Sequence, residues 1–459
     1  MPPIQIINIF EREEMKWSKY NVTFFSEKLG YCLFNSRTLS FLKLNKETFD
    51  IFQNLKEGDY RFLEKLSDSD IKYLLTSKIV VHDNEDDNYL NMLKYKKQLQ
   101  SYTSRTLGIV VCPTLSCNFA CPYCYEHNLP TQSMNEETQQ KLIDFINRNS
   151  QGMNGINLNW HGGEPLVAFK TIQQIYSKLE QEVKLPLTRT SMVSNGYLLN
   201  SNICKYLASK NLNYLQITID GNKDTHNKSR KLKNGESSFE RIIENIDMAT
   251  ELMPNCQIGI RTNISKENKD EYDQLYDTLS KRWKGKKCNV YYAFVQDNGL
   301  ANVRDDKCSF ELSTNEKNDF EVHLAHIGII RKKTLYPKAD TNFYTCMDCN
   351  AYVVAPDGKL YKCWADVGIT ERSIGSLTEG ITDYSVISQF MCATDKFSDP
   401  KCLQCSYLPI CDGGCNLYRV RKIEKNVPYN VCKINTEGLI KYLETYSDHW
   451  KKCVDIVVQ

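Results

Sequence analysis

Cys117, Cys121 and Cys124 stand in C-x3-C-x2-C order inside the stretch CNFACPYCYE. In a reducing compartment disulfides do not persist, so clustered thiols read as metal ligands or catalytic groups. Three thiolates on one loop can hold three irons of a four-iron four-sulfur cubane, which leaves the fourth iron open to a chelating substrate. Zinc is the rival on spacing, with His127 as its fourth ligand, and Tyr123 between the last two cysteines weighs against it.

A second set is denser. Cys402-x2-Cys405-x5-Cys411-x3-Cys415 is followed by Cys432 and preceded by Gly358-x4-Cys363, with Cys346 and Cys349 further upstream. Ten of the 19 cysteines lie beyond residue 310, and the odd total excludes complete pairing within one chain. A zinc ribbon is the alternative for this set alone. Cys32, Cys112, Cys204, Cys256, Cys288, Cys308, Cys392 and Cys453 have no ligand spacing and read as small buried hydrophobes, with Cys308 the one to watch.

The elements that must carry these residues follow from length and pattern. A chain of 459 residues exceeds one core's usual size, so two or three domains are expected. Its composition, 41% hydrophobic and 25% charged with a net charge of +2, gives no electrostatic pointer to nucleic acid or an anionic membrane. Acidic residues interrupt the N-terminal stretch before a signal-peptide core develops, and no apolar run approaches a bilayer span. A cytoplasmic enzyme is therefore the expectation.

Residues 1–85 read as short alternating strands (YNVTFF, GYCLFN, LSFLKL), then helices capped by Asn45 and by Ser67 or Ser69, then the strand KIVVH. That order looks like a winged-helix module. An acidic connector, DNEDDN, leads into a linker helix within 86–106. From 107 to 310 six strand-like segments alternate with amphipathic ones, which implies a parallel sheet and a partial (β/α)6 barrel of the TIM type. Residues 311–459 are loop-rich and cysteine-dense.

With these segments in order, the chain resembles the radical S-adenosylmethionine (radical SAM) enzymes that carry a SPASM C-terminal domain. The cysteine triplet follows the first barrel strand, GGEP (Gly162 to Pro165) ends the second, SNG (Ser194 to Gly196) the third and TIDG (Thr218 to Gly221) the fourth, while IRTN lies on the fifth. All of these sit at strand carboxyl ends, where such barrels place chemistry. The resemblance implies that the open iron binds S-adenosylmethionine and that the cluster cleaves it to a 5'-deoxyadenosyl radical. It also implies that Gly162 and Gly163 allow close backbone approach and that Glu164 receives the methionyl ammonium. Tyr123 would cover the adenine side, Thr218 the ribose or methionyl end, and Arg230 the carboxylate, with Ser194 and Asn195 behind them. His161 and His226 read as structural.

From the SPASM pattern, Cys346, Cys349, Cys363 and Cys415 would hold one auxiliary 4Fe–4S cluster, and Cys402, Cys405, Cys411 and Cys432 a second. Whether Cys346 and Cys349 both ligate stays open. The N-terminal module resembles the recognition element of maturases of ribosomally made peptides, which adds a leader peptide to a sheet edge as an extra strand. The implied enzyme takes hydrogen from a precursor peptide and installs a thioether or carbon–carbon cross-link, with flavodoxin or ferredoxin as reductant. Asp366, in CWAD, is the candidate base, against the alternative of a solvated loop carboxylate. An anaerobic sulfatase maturase is the rival enzyme. A DNA-binding redox sensor is the rival outside enzymes, disfavoured because residues 45–82 contain no basic helix.

Overall fold

The computed structural model describes residues 15–126, 129, 131–296, 310–340, 342, 345–425, 431–447 and 455–456. His127, Cys308 and Cys453 lie outside the described residues.

The chain begins with β1 (Met15–Trp17), β2 (Asn21–Ser26), β3 (Gly30–Asn35) and β4 (Ser40–Leu44), and β2, β3 and β4 form an antiparallel sheet. Asn35 shapes the turn after β3, because its Oδ1 accepts from the backbone N–H of Arg37 (3.0 Å) and of Thr38 (2.9 Å). Helix α1 (Lys46–Lys56) starts where Asn45 accepts from Thr48 N at 2.7 Å, and α2 (Asp68–Thr76) where Ser67 accepts from Asp70 N at 3.2 Å. Strand β5 (Val80–His82) then pairs with β1. The acidic connector belongs to the next helix, α3 (Glu85–Tyr102): Glu85, Asp86 and Asp87 occupy its first turn, where carboxylates complement the exposed N–H groups. Arg37 holds Glu85 (3.0 Å) and Asp86 (3.1 Å) from across the module.

Six parallel strands follow: β6 (Thr106–Val111), β7 (Gly155–Trp160), β8 (Leu187–Ser194), β9 (Tyr214–Thr218), β10 (Gln257–Ile264) and β11 (Cys288–Phe294). Between them run α4 (Glu136–Arg148), α5 (Phe169–Glu182), α6 (Ser201–Ser209), α7 (Lys223–Ser229), α8 (Phe239–Leu252) and α9 (Tyr272–Arg282). The expected partial barrel is present. Its strands alternate by face: on β7, Ile156, Leu158 and Trp160 are buried in the core shared with the helices, and Trp160 Nε1 donates to Tyr176 of α5 at 3.0 Å. Asn157 and Asn159 between them line the interior cavity.

Beyond α10 (Thr314–His326), β12 (Ala351–Val354) pairs in parallel with β6, and β13 (Lys359–Tyr361), β14 (Gly375–Ser376) and β15 (Gly380–Ile381) continue outward. The cysteine-rich region thus extends the barrel's own sheet to ten strands. Helices α11 (Asn416–Lys425) and α12 (Thr436–Ser447) follow, and β16 (Asp455–Ile456) pairs with β4. Leu439 and Leu443 of α12 share an apolar cluster with Phe24, Phe34 and Phe41 of the N-terminal sheet. Among the described residues no helix is long and apolar enough to cross a membrane.

Candidate active site

The strand carboxyl ends open into a cavity of about 1720 Å³. Its wall contains Cys117, Cys121 and Cys124, and also every residue that the resemblance assigned to S-adenosylmethionine, from Tyr123 through the GGE and SN turns to Thr218 and Arg230.

The turns are pinned to one another through Glu164, which is 1% exposed. Its Oε1 accepts from Leu166 N (3.0 Å) and Ser194 Oγ (2.9 Å), and its Oε2 from Asn195 N (2.7 Å). Burial raises its carboxyl pKa, opposed by those hydrogen bonds. Asn195 Nδ2 in turn donates to Asn118 Oδ1 at 2.8 Å, which ties the SNG turn to the cysteine loop. Glu164 is therefore first a lock between β7 and β8. One lone pair on Oε2 is left for a ligand.

A second lock joins Tyr123, Arg230 and Asp220. Arg230 Nη1 donates to the Tyr123 hydroxyl at 2.6 Å and pairs with Asp220 at 3.5 Å, while the Tyr123 hydroxyl donates to Asp220 Oδ2. Asp220 Oδ1 accepts from Asn263 N at 2.8 Å, which brings in β10. Sequence reasoning passed over Asp220 because a carboxylate before glycine reads as a turn residue. Its place at a strand end, ten residues before Arg230, was the available signal.

Glu126 was missed as well. It lines the cavity with a buried Oε1 that has no hydrogen-bond partner among the described residues, and burial, helped by the charge of Glu164, pushes its pKa up to about 8. His161 stacks on Trp364 at 5.8 Å between ring centroids. Burial, with Arg261 second, lowers its pKa to about 4, so the ring is neutral.

Asp366, the candidate base, is not a solvated loop carboxylate: it is 1% exposed, lies between Arg372 (3.4 Å) and Arg421 (3.3 Å), and is not among the residues lining the cavity. Two guanidiniums anchor it as a structural ion pair.

Among the C-terminal cysteines, Cys415 and Cys432 reach the same cavity. Cys346, Cys363 and Cys415 lie close enough that burial and then neighbouring charge raise the first to about 12 and the second well above the usual thiol range. Cys405 feels Cys432, and Cys411 feels Cys405. Cys349 lies instead beside Asp348 and Lys362, and Cys402 accepts from Arg419 Nη2 at 3.2 Å. Of the cysteines without ligand spacing, Cys32, Cys112, Cys204 and Cys256 are buried and Cys288 is half-buried. Cys392 departs from expectation: it is exposed, on a π-helical turn, with its Sγ 3.2 Å from the Tyr102 hydroxyl.

Among the described residues no three His, Cys, Asp or Glu side chains are arranged to hold a metal ion as they stand. The donor chemistry nonetheless fits an iron–sulfur cluster and S-adenosylmethionine. Three thiols share one cavity wall, where burial raises Cys117 to about 11 and Cys124 to about 12, and thiolates there would suit a cationic cluster. A Cβ on Gly162 would meet Thr114 O at 2.3 Å, and one on Gly163 would meet Leu115 O and Ser116 O at 2.5 Å, so only glycine lets the cysteine loop seat there. Arg230 Nε is buried with no partner among the described residues, a donor still to be satisfied.

Residues 111–279 match the family model described as Radical SAM superfamily, which gives the chain a radical SAM domain. A family member of this kind uses a 4Fe–4S cluster and S-adenosylmethionine.

The chain is 32% identical over 141 residues to a serine-type anaerobic sulfatase-maturating enzyme of Bacteroides thetaiotaomicron, covering 29% of this chain and 33% of that enzyme. This match thus spans about a third of the relative's length. Its fold is similar to that of anSMEcpe with bound AdoMet (TM-score 0.58, 16% identity, 75% of this chain and 93% of that one). It is also similar to that of Streptococcus suis SuiB bound to precursor peptide SuiA (TM-score 0.53, 16% identity, 92% of this chain and all of that one).

Proposed function

We propose that this enzyme is a maturase that binds a ribosomal precursor peptide, takes hydrogen from a residue of its core and installs a thioether or carbon–carbon cross-link. The observation that carries this reading is coverage. The SuiB fold accounts for 92% of the chain, whereas the anSMEcpe fold accounts for 75%. A module of the N-terminal kind offers a peptide a sheet edge. One edge of that sheet, β4, is already paired with β16, and the other, β2, has no neighbour among the described strands. In this reading the leader peptide adds along β2, beside the exposed ring of Phe25.

Cys117, Cys121 and Cys124 would hold the cluster that binds S-adenosylmethionine, and the two C-terminal cysteine groups would hold auxiliary clusters, with Cys346 in the first. When bound, the S-adenosylmethionine cluster supplies a 5'-deoxyadenosyl radical that abstracts hydrogen from a nearby C–H bond. The chain's own residues position and seal. Glu164 and the Tyr123–Arg230–Asp220 lock fix the turns around the cavity, and the Trp364–His161 stack covers part of its wall.

Anaerobic incubation of reconstituted protein with S-adenosylmethionine, dithionite and the peptide encoded beside the gene should release 5'-deoxyadenosine and remove two hydrogens from the peptide. Conversion of a cysteine or serine in a sulfatase peptide to an aldehyde would instead establish the sulfatase-maturating alternative. Three full cubanes correspond to about twelve irons per chain, which elemental analysis checks.

A further inference from the structure

Two of the C-terminal thiols accept the backbone N–H two residues on, Cys405 from Tyr407 N (3.4 Å) and Cys411 from Gly413 N (3.3 Å). Cys402 differs: its Sγ accepts from a charged side chain, Arg419 Nη2 of α11, at 3.2 Å. Hydrogen bonds received by sulfur favour the thiolate, so all three are suited to ligate iron.

Arg419 is 6% exposed, and its other donors are committed. Its Nε donates to Gly413 O (2.7 Å), in the loop between Cys411 and Cys415, and its Nη1 to Asp399 Oδ2 (2.9 Å). Asp399 in turn accepts from Lys401 N (2.9 Å) at the start of the short helical turn Pro400–Leu403, which carries Cys402. The N–H that faces Cys402 is therefore aimed by fixed contacts. Other cations near these cysteines point elsewhere. Lys396 Nζ is spent on Asp340 (2.9 Å), Leu408 O (3.2 Å) and Cys411 O (2.6 Å), and Lys362 Nζ donates to Asp348 O (2.5 Å) and Ala351 O (2.9 Å). Lys97 donates to Met347 Sδ. Cys402 also packs against the apolar cluster of Tyr20, Leu90 and Leu408, and a low local dielectric strengthens the bond it accepts.

We propose that Arg419 is a redox-tuning residue: its hydrogen bond to Cys402 raises the reduction potential of the 4Fe–4S cluster that Cys402, Cys405, Cys411 and Cys432 would hold. A donor on a ligand sulfur stabilises the more negative, reduced cluster, and a charged donor does so more strongly. Asp399 works against it, because a carboxylate beside Cys402 disfavours added negative charge. The inference rests on the proposed function. Of the two hydrogens that the peptide loses there, one leaves as an atom to the 5'-deoxyadenosyl radical and the other as a proton to solvent and an electron. That electron reduces the tuned cluster by one charge.

The experiment uses full-length Cys117→Ala/Cys121→Ala/Cys124→Ala protein, reconstituted anaerobically, so that only the auxiliary clusters are read, at about eight irons per chain. A mediated dithionite titration followed by electron paramagnetic resonance gives a potential for each of the two couples. Arg419→Gln should lower the reduction equilibrium constant of one couple about tenfold or more, about 59 mV for one electron, and leave the other unchanged. Arg419→Lys should keep part of the potential, and Asp399→Asn, which keeps a helix-capping side chain, should shift the same couple upward. Iron content and melting temperature verify that the variants are loaded and folded. Should Arg419→Gln shed iron, the other two variants carry the test, and loss of iron in all three makes Arg419 a structural residue and overturns the proposal. Potentials that stay put in the loaded variants, or two couples that move alike, overturn it as well. About four irons per chain in place of eight would overturn the proposed pair of auxiliary clusters, whereas eight irons with potentials indifferent to Arg419 overturn this inference alone.

Discussion

At Gly163 a single added methyl group would press on two carbonyl oxygens of the cysteine loop at 2.5 Å, and neither is the far end of a flexible side chain. Gly163→Ala must therefore displace the loop, at a cost of about 1–3 kcal/mol. The expected outcome is a lower melting temperature and the loss of about four irons per chain, with the C-terminal irons kept. The glycines were legible because GGEP sits at a strand end, and the close backbone approach they allow is that of the protein's own loop. Asp220 shows the opposite case, a residue invisible until three strand ends are brought together. Asp220→Asn would leave Arg230, 8% exposed, without its carboxylate and should destabilise by about 3–5 kcal/mol. Thermal melts of Asp220→Asn and of Asp220→Asn/Arg230→Met test this, since removing the stranded charge should restore part of the loss.

Elements explain which parts of the fold could be read in advance. The six barrel strands were legible because five to eight residues of alternating or continuous apolar character repeat between amphipathic helices. β13, β14 and β15 were not, because strands of two or three residues hold no period and gain their pairing from the sheet they join. The ion-pair surroundings of Asp366 were hidden for a related reason. Next to Cys363 in sequence, it looked placed for chemistry, yet folding carries Arg372 and α11's Arg421 onto it. Asp366→Asn leaves the buried Arg421 facing a neutral amide, while Arg372 keeps Glu424 at 2.6 Å, so it should lower stability by about 3 kcal/mol. The variant's peptide turnover should fall only as far as its folded fraction does, and its pH–rate profile should match wild type. A shifted or flattened profile would return Asp366 to the role of base.

Across the whole molecule, the N-terminal module and the C-terminal region are joined directly, without passing through the barrel. Phe24, Phe34 and Phe41 pack on Leu439 and Leu443 of α12, Ser26 Oγ donates to Glu444 at 2.5 Å, and the Tyr336 hydroxyl donates to Leu39 O at 2.5 Å. Nothing in the sequence announced this contact, because residues 297 to 418 positions apart leave no local pattern. It makes the N-terminal sheet part of the same body as the cysteine-rich region, so a peptide bound on β2, as proposed, would be held at a fixed distance from the cavity. Leu443 is 1% exposed, and Leu443→Ala should cost about 2–5 kcal/mol at that seam. Hydrogen exchange should then rise in β2, β3 and β4 while β6 to β11 stay protected. Cleavage of S-adenosylmethionine without peptide should persist, and peptide modification should fall several-fold through a raised KM. If modification is unchanged while the sheet exchanges freely, the module does not deliver the substrate.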